Sequence, residues 1–277
     1  MNLAVDAGGT NLRAEIWHKD LCVAKRDAKS FEIGLYTWIE MLLGEFKEIK
    51  TVGISFAGQV KEGVIVSAPN ISIDEHNIKR AVESKYGVEL NIDNDLNCAV
   101  LAESKEFGSK NICALYIGTG LGLGVMEEGK IIRGFSNVAT EIGHIPYKKA
   151  PFLCGCKRDN CLELFVSGSG IAKWIKYKDL PCESSIKALK EANETEIVEA
   201  FYEALLVAAG VVLTLFNPQV VVLGGGIVEA NPDLEEFILK NIKNYALSNS
   251  LENITICRNK INNAPIKGAL LLKDYHG

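Results

Sequence analysis

The run Asn111-Ile112-Cys113-Ala114-Leu115-Tyr116-Ile117-Gly118-Thr119-Gly120-Leu121-Gly122-Leu123-Gly124 says most about the architecture of the chain. An apolar run of β type ends in a series of glycines. The residues that follow, Val125-Met126, Glu127-Glu128-Gly129-Lys130 and Ile131-Ile132, read as strand, turn, strand. A Rossmann fingerprint needs a helix at that point, and the glycine spacing differs from it as well. A strand–glycine turn–strand unit can direct N–H groups at an anion without side-chain clash. A tight hairpin with no ligand fits the same residues.

The arrangement recurs at the start of the chain. Leu3-Ala4-Val5-Asp6-Ala7-Gly8-Gly9-Thr10 is a strand entering a glycine turn, after which Leu12, Ala14 and Ile16 alternate with Asn11, Arg13 and Glu15. That is strand period, so this is not a Walker loop. The amides of Gly8 and Gly9 and the Thr10 hydroxyl are suited to phosphate oxygens, and Asp6 to magnesium or its water shell. A hairpin with a turn-stabilising Asp is the alternative. Gly8 and Gly118 lie 110 positions apart. Two such units point to duplicated α/β halves that face one another across a cleft and grip a nucleotide's phosphates from both sides.

Downstream of the second turn, His144, Cys154, Cys156 and Cys161 fall within a short span. They form one Cys3His set, the soft tetrahedral shell that zinc takes, and a closed shell of this kind is structural. Free cysteines beside a surface histidine are the plainer reading. Elsewhere the patterns predict helices over 36–49, 96–107, 164–178, 195–216, 233–247 and 266–275, with Ser167-Gly168-Ser169-Gly170 interrupting the third. Strands are expected at 51–58, 63–66, 88–92, 220–223 and 254–257. Asn70 follows Pro69 and offers the donor and acceptor that sugar hydroxyls require. Asp95 stands where an N-cap is expected, and it could equally accept a proton from an attacking hydroxyl. Gly224-Gly225-Gly226 ends a buried strand, where a flat ring could approach the backbone. No low-complexity linker occurs, and the expected boundary is Phe107-Gly108-Ser109-Lys110.

Bulk properties narrow the class. The 277 residues are 48% hydrophobic and 23% charged, as in an ordinary globular enzyme. The net charge of −5 favours neither nucleic acid nor an anionic membrane. The N-terminus has no basic region ahead of Asp6, so no leader is expected. The 195–216 helix carries Glu196, Glu199 and Glu203, so no membrane span is expected either. Five of the eight cysteines are scattered (Cys22, Cys98, Cys113, Cys182, Cys257), consistent with reduced thiols and a cytoplasmic setting.

Taken together these residues resemble the ROK family of repressors, open reading frames and sugar kinases, within the actin-like ATPase superfamily, over essentially the whole chain. Asp6-Ala7-Gly8-Gly9-Thr10-Asn11 looks like its first phosphate motif, Gly118-Thr119-Gly120 its second, and Gly224-Gly225-Gly226 its adenosine motif. Asn94-Asp95 looks like its Asn-Asp pair, whose Asp is the general base. Glu141-Ile142-Gly143-His144 and Cys161-Leu162-Glu163 carry the resemblance furthest. It implies that Glu141, His144 and Glu163 contact the sugar ring and that His144 and the three cysteines bind structural zinc; Asn70, Asn94 and Asp95 are the further candidate sugar contacts. A neutral imidazole has two nitrogens, so His144 can do both.

The implied architecture is a two-domain actin-like ATPase fold, a duplicated ribonuclease H-like α/β core. One domain would span 1–108, completed by a C-terminal helix at 265–277. The other would span 109–264, with the zinc loop at 144–161. The implied activity is ATP- and magnesium-dependent phosphorylation of a hexose 6-hydroxyl, domain closure excluding water. Glucose is the leading acceptor, with N-acetylmannosamine, N-acetylglucosamine or fructose as alternatives. The partners implied are sugar and ATP, in a homodimer or homotetramer, with neither nucleic acid nor membrane. A non-catalytic sugar-responsive regulator is the reading from another class; such members carry a DNA-binding segment ahead of the first phosphate motif, which here begins at the N-terminus. Asn137, Thr140, Lys157 and Asn160 stand where the family often has glycine, and the segment just after Asn70 lacks the tryptophan often found near it.

Overall fold

The structure, a computed structural model, describes residues 1–68 and 70–275. Pro69 and the last two residues of the helix expected at 265–277 lie outside the described residues. In chain order the first half carries β1 (Asn2–Ala7), β2 (Asn11–His18), β3 (Leu21–Lys29), α1 (Leu35–Glu45), β4 (Thr51–Phe56), β5 (Gln59–Lys61), β6 (Val64–Ser67), α2 (Ile78–Tyr86), β7 (Glu89–Asn94) and α3 (Asp95–Phe107). There follow β8 (Ile112–Ile117), β9 (Leu121–Glu127), β10 (Lys130–Ile131), α4 (Gly168–Tyr177), α5 (Ile186–Glu191), α6 (Thr195–Phe216), β11 (Val220–Gly224), α7 (Gly226–Ala230), α8 (Leu234–Asn241), β12 (Thr255–Arg258) and α9 (Ala264–Leu271).

These elements form two compact units. One contains Met1–Gly108, Gly129–Ala139 and the chain from Ile261 onward; the other contains Ser109–Glu128 and Thr140–Lys260.

In the first unit the strand order is β3-β2-β1-β4-β7. β1 is antiparallel to β2 and parallel to β4, which is parallel to β7. The inward residues Leu3, Val5, Leu12, Ile16, Ile54, Phe56 and Leu90 make the core with Leu35, Ile39 and Ile78 from the helices. The returning α9 lies backbone-close to this sheet and to α3. A Cβ on Gly53 would fall 1.9 Å from the Ala269 carbonyl oxygen, and one on Gly268 would fall 1.8 Å from that of Cys98. Glycine at both positions is what permits the approach.

The second unit repeats the plan. Its strands run β9-β8-β11-β12, with β8 antiparallel to β9 and parallel to β11, and β11 parallel to β12. α6 is long and apolar enough to cross a membrane, and more than half of its most apolar window is buried within the protein. It ends at Asn217, in the left-handed region at φ 39°, where Pro218 prevents continuation.

Several boundaries differ from the sequence reading. α1 stops at Glu45 because Phe46 leaves helical geometry. The helix expected over 233–247 is α8 followed by short 3-10 turns at Ile242–Asn244 and Ser248–Leu251. Ser167-Gly168-Ser169-Gly170 does not interrupt a helix but begins one: the Ser167 hydroxyl accepts the Gly170 N–H as the cap of α4.

Candidate functional site

In the first unit the glycine turn joins β1 to β2 after the pair Ala7–Leu12. The Gly8 N–H donates to the Asn11 carbonyl at 3.1 Å, so it closes the turn and is not directed at a ligand. This corrects its expected role; the remaining candidates are Gly9, Thr10 and Asn11. Buried Ser30 braces the turn from the end of β3, its hydroxyl donating to the Gly8 carbonyl at 2.5 Å and its N–H to that of Thr10 at 3.2 Å. The Lys29 ammonium reaches Asn11 Oδ1 at 2.7 Å. Asp6 lies one residue before the last pair of β1, and Ser55 Oγ donates to its Oδ1 at 3.2 Å. Burial pushes the Asp6 carboxyl above the ordinary range, opposed by Ser55 and by Arg13.

The second unit has the same device. The turn between β8 and β9 follows the pair Ile117–Leu121, and the Gly118 N–H closes it on the Gly120 carbonyl at 3.0 Å. Gly168 and Ser169 at the start of α4 donate to the carbonyls of Gly118 and Thr119 at 2.8 and 3.0 Å. Among the three glycines ending β11, two serve packing: a Cβ on Gly224 would meet the Tyr116 ring at 2.5 Å, and one on Gly225 the Ile117 carbonyl oxygen at 2.5 Å. Gly225 also needs φ +90°. Only Gly226 borders open space, so a ring approaching this backbone would do so there.

Asn94, not Asp95, caps α3. Asn94 Oδ1 accepts the Leu96 N–H at 2.9 Å, and Asp95 begins the helix with its own Oδ1 3.0 Å from the same N–H. Asn has the same capping capacity one position earlier, and sequence spacing does not separate the two. Asn94 Nδ2 donates to the Gly58 carbonyl at 3.2 Å, which fixes the side chain. Sequence reasoning passed over the group just before it: Asp93 is bound through Oδ2 by Arg133 Nε and Nη2 at 2.9 and 2.7 Å. Asp93 was visible as a charge at the end of a strand; Arg133 gave no signal. Asn70 is exposed, in a turn after β6 with φ 63°, and the structure places no other candidate side chain in hydrogen-bond contact with it among the described residues.

The histidine–cysteine loop is an antiparallel excursion. Pro146 bridges Cys161, the Leu162 N–H donates to the Ile145 carbonyl, and Tyr147 and Ala150 donate to Asn160 and Asp159. This brings Glu141, His144 and Glu163 into one neighbourhood. Gly143 permits it: a Cβ there would lie 2.6 Å from the Leu121 carbonyl oxygen and 3.3 Å from Glu163 Cβ. Glu163 joins two features, since Oε2 accepts the Leu121 N–H at 3.1 Å and Oε1 the Cys154 thiol at 3.4 Å. Burial raises the Glu141 carboxyl and Glu163 adds to the rise, while His144 opposes it.

One ligand atom from each of His144, Cys154, Cys156 and Cys161 lies within 4.8 Å of the others. His144 Nδ1 is 3.6 Å from Cys154 Sγ, and the sulfurs of Cys156 and Cys161 are 3.3 Å apart. A tetrahedron on Zn–S bonds of about 2.3 Å has edges near ~3.8 Å, so the donor set fits that ion. Nδ1 faces the sulfurs, which leaves Nε2 on the other side of the ring. Desolvation pushes the Cys156 thiol up, but hydrogen bonds from Arg158 and the neighbouring thiols outweigh it and bring it down to about 6. The positions expected to carry glycine explain the local backbone in part: Asn137, Thr140 and Lys157 have φ of 57°, 67° and 68°. Asn160 is not left-handed among the described residues. Thr140 is β-branched in that region and directly precedes Glu141, so strain sits beside a candidate sugar contact.

A model of the ROK family matches residues 2–275. An N-acetyl-D-glucosamine kinase of Photobacterium profundum is 32% identical over 64% of this chain and 65% of its own length. A ROK family glucokinase of Streptomyces griseus, solved with glucose and AMPPNP, superposes with a TM-score of 0.78 at 22% identity over 99% of each chain. A ROK family transcriptional regulator, a homolog of the E. coli MLC protein, gives 0.84 at 20% identity over 99% of this chain and 77% of its own. At such identities the superpositions speak for the fold, which is the α/β actin-like ATPase fold.

Proposed function

Because this chain belongs to the ROK family, whose model spans nearly all of it, we propose that it is an ATP-dependent sugar kinase acting on the 6-hydroxyl of a hexose. The observation that carries this reading is the matched pair of strand–glycine turn–strand units, each closed by its own first glycine N–H. Two such turns suit the phosphates of a nucleotide, with Gly9, Thr10 and Asn11 from one and Thr119 and Gly120 from the other. Asp6 holds the magnesium that accompanies ATP, and its costly buried carboxylate suits a cation. Gly226 borders the adenosine.

In the chemistry proposed, Asp95 accepts the proton of the attacking hydroxyl as it displaces ADP in line from the γ-phosphate. Asn94 orients the sugar beside it. Glu141, Glu163 and the Nε2 side of His144 take ring hydroxyls, as does Asn70. His144, Cys154, Cys156 and Cys161 hold one zinc ion, whose closed shell braces the loop carrying these contacts and performs no step.

The acceptor we favour is N-acetylglucosamine, ahead of the glucose suggested by the sequence. The relative at 32% identity is named for that sugar, whereas the glucokinase at 22% supports the fold alone. An ADP-release assay over hexoses and N-acetylhexosamines tests this, with the highest kcat/KM expected for N-acetylglucosamine. In the same assay Asp95→Asn should keep sugar binding and lose about 10²–10⁴-fold in kcat. Near-normal turnover in that variant would remove Asp95 from the chemistry. If no sugar supports ADP release and the chain instead binds DNA saturably and with salt sensitivity, the regulator reading replaces this one.

A further inference from the structure

We infer that Arg133 is a positioning residue for the Asn94-Asp95 pair, acting through Asp93; this rests on the reading of Asp95 as proton acceptor. Asp93 is only 6% exposed, and four donors converge on its carboxylate. Oδ1 accepts the Asn94 N–H and Asn97 Nδ2, both at 2.8 Å. Oδ2 takes the Nε–Nη2 edge of Arg133 at 2.9 and 2.7 Å. The carboxylate therefore ties the last residue of β7 to the first turn of α3, with Asp95 lying between two residues it holds. A buried carboxylate is stable in that role only while it is paired and fully hydrogen-bonded. Without the guanidinium, the buried Asp93 carboxylate would lose two of its four donors, and the junction that aims Asp95 would relax.

Arg133 is itself fixed, unlike a surface arginine. Its guanidinium lies over the Tyr275 ring at 5.3 Å, and the Tyr275 hydroxyl accepts the Ile131 N–H at 2.6 Å. Its carbonyl accepts the Ala139 N–H at 3.1 Å and closes a loop that Asn137 anchors, donating to the Val60 carbonyl at 2.7 Å. Sequence-distant parts of the first unit, at 60, 93, 133 and 275, thus meet behind the proposed base. A lysine would supply the charge at 133 but not the two-pronged edge.

The test uses the full chain and steady-state kinetics with calorimetric sugar binding and thermal melts. Arg133→Lys should fold and bind sugar within about threefold of wild type while kcat falls about 10- to 100-fold, the size expected when a reacting group moves by up to an ångström. Arg133→Ala should lose more and regain part of its kcat with added guanidinium ion. Tyr275→Leu leaves Asp93 untouched and should lower kcat in the same direction by less. A merely structural role would lower the melting temperature and leave the kcat of the folded fraction intact with no response to guanidinium; that result overturns the inference. Wild type inactive toward every sugar removes the functional reading and this inference with it; an active wild type with unaltered variants removes the inference alone.

Discussion

Asp6 combines a simple position with an unusual energy. It is the penultimate residue of β1, beside Ser55, and burial raises its pKa in the folded chain above the unfolded value. The folded form therefore holds the Asp6 proton more tightly. Its stabilising contribution is complete below the unfolded pKa and is lost as pH rises through the folded one. At neutral pH the protein carries a desolvated carboxylate, which suits a site that receives a cation. Asp6→Asn should therefore melt higher than wild type at pH 7 without magnesium or nucleotide, with the difference shrinking as pH is lowered toward about 4. The same variant should lose ATP-dependent turnover. A lower melting temperature at pH 7 would mean that the charge is compensated by groups other than Ser55 and Arg13. What sequence gave at this scale was residue type: an Asp before two glycines, an Asn-Asp pair, a histidine near three cysteines. It could not say that the Gly8 N–H closes its own turn, or that Asn94 takes the cap from Asp95, because both depend on distances of a few ångströms within one turn.

At the scale of elements, legibility followed how local the cause was. α6 ends where Asn217-Pro218 ends it, and β8 stops at the glycines, since each signal is carried by adjacent residues. The edge strand β3 was not anticipated: alternating charges leave it with no buried face, and it is held by pairing to β2. The return of α9 to the first unit was expected from the family resemblance, but its close approach was not legible, because it depends on two glycines far apart in the chain. That docking makes a sharp contrast between glycines. Gly268→Ala places a methyl on the Cys98 carbonyl and should cost about 1–3 kcal/mol or more, read from urea unfolding. Gly44→Ala, within α1 and with nothing near its added Cβ, should gain about 0.5–1 kcal/mol. Equal effects at the two positions would mean that α9 does not approach α3 as closely as the structure has it.

At the scale of the whole molecule, duplication was legible from two glycine turns 110 positions apart, and the strand orders β2-β1-β4-β7 and β9-β8-β11-β12 repeat it. One part of the segmentation was not: Gly129–Ala139 joins the first unit from inside the second half by contacts such as Arg133 with Asp93. Two units with separate cores need not melt as one, and only the second contains the histidine–cysteine loop. Zinc there would stabilise the unit whose ligands it gathers, since a preformed set of thiolates does not exist in the unfolded chain. The purified protein should carry about one zinc per chain by elemental analysis. Stripping it with a chelator should lower the melting of the second unit and leave that of the first nearly unchanged, so that one calorimetric transition broadens or divides. Cys156→Ser should do the same without a chelator, and limited proteolysis of the stripped protein should begin between residues 144 and 161. Metal-free protein with an undivided, chelator-insensitive transition would show that the four side chains cluster without an ion, and the loop would then owe its shape to its hydrogen bonds, among them those of the Tyr147, Ala150, Cys154 and Leu162 N–H groups and of Arg158 with the His144 carbonyl.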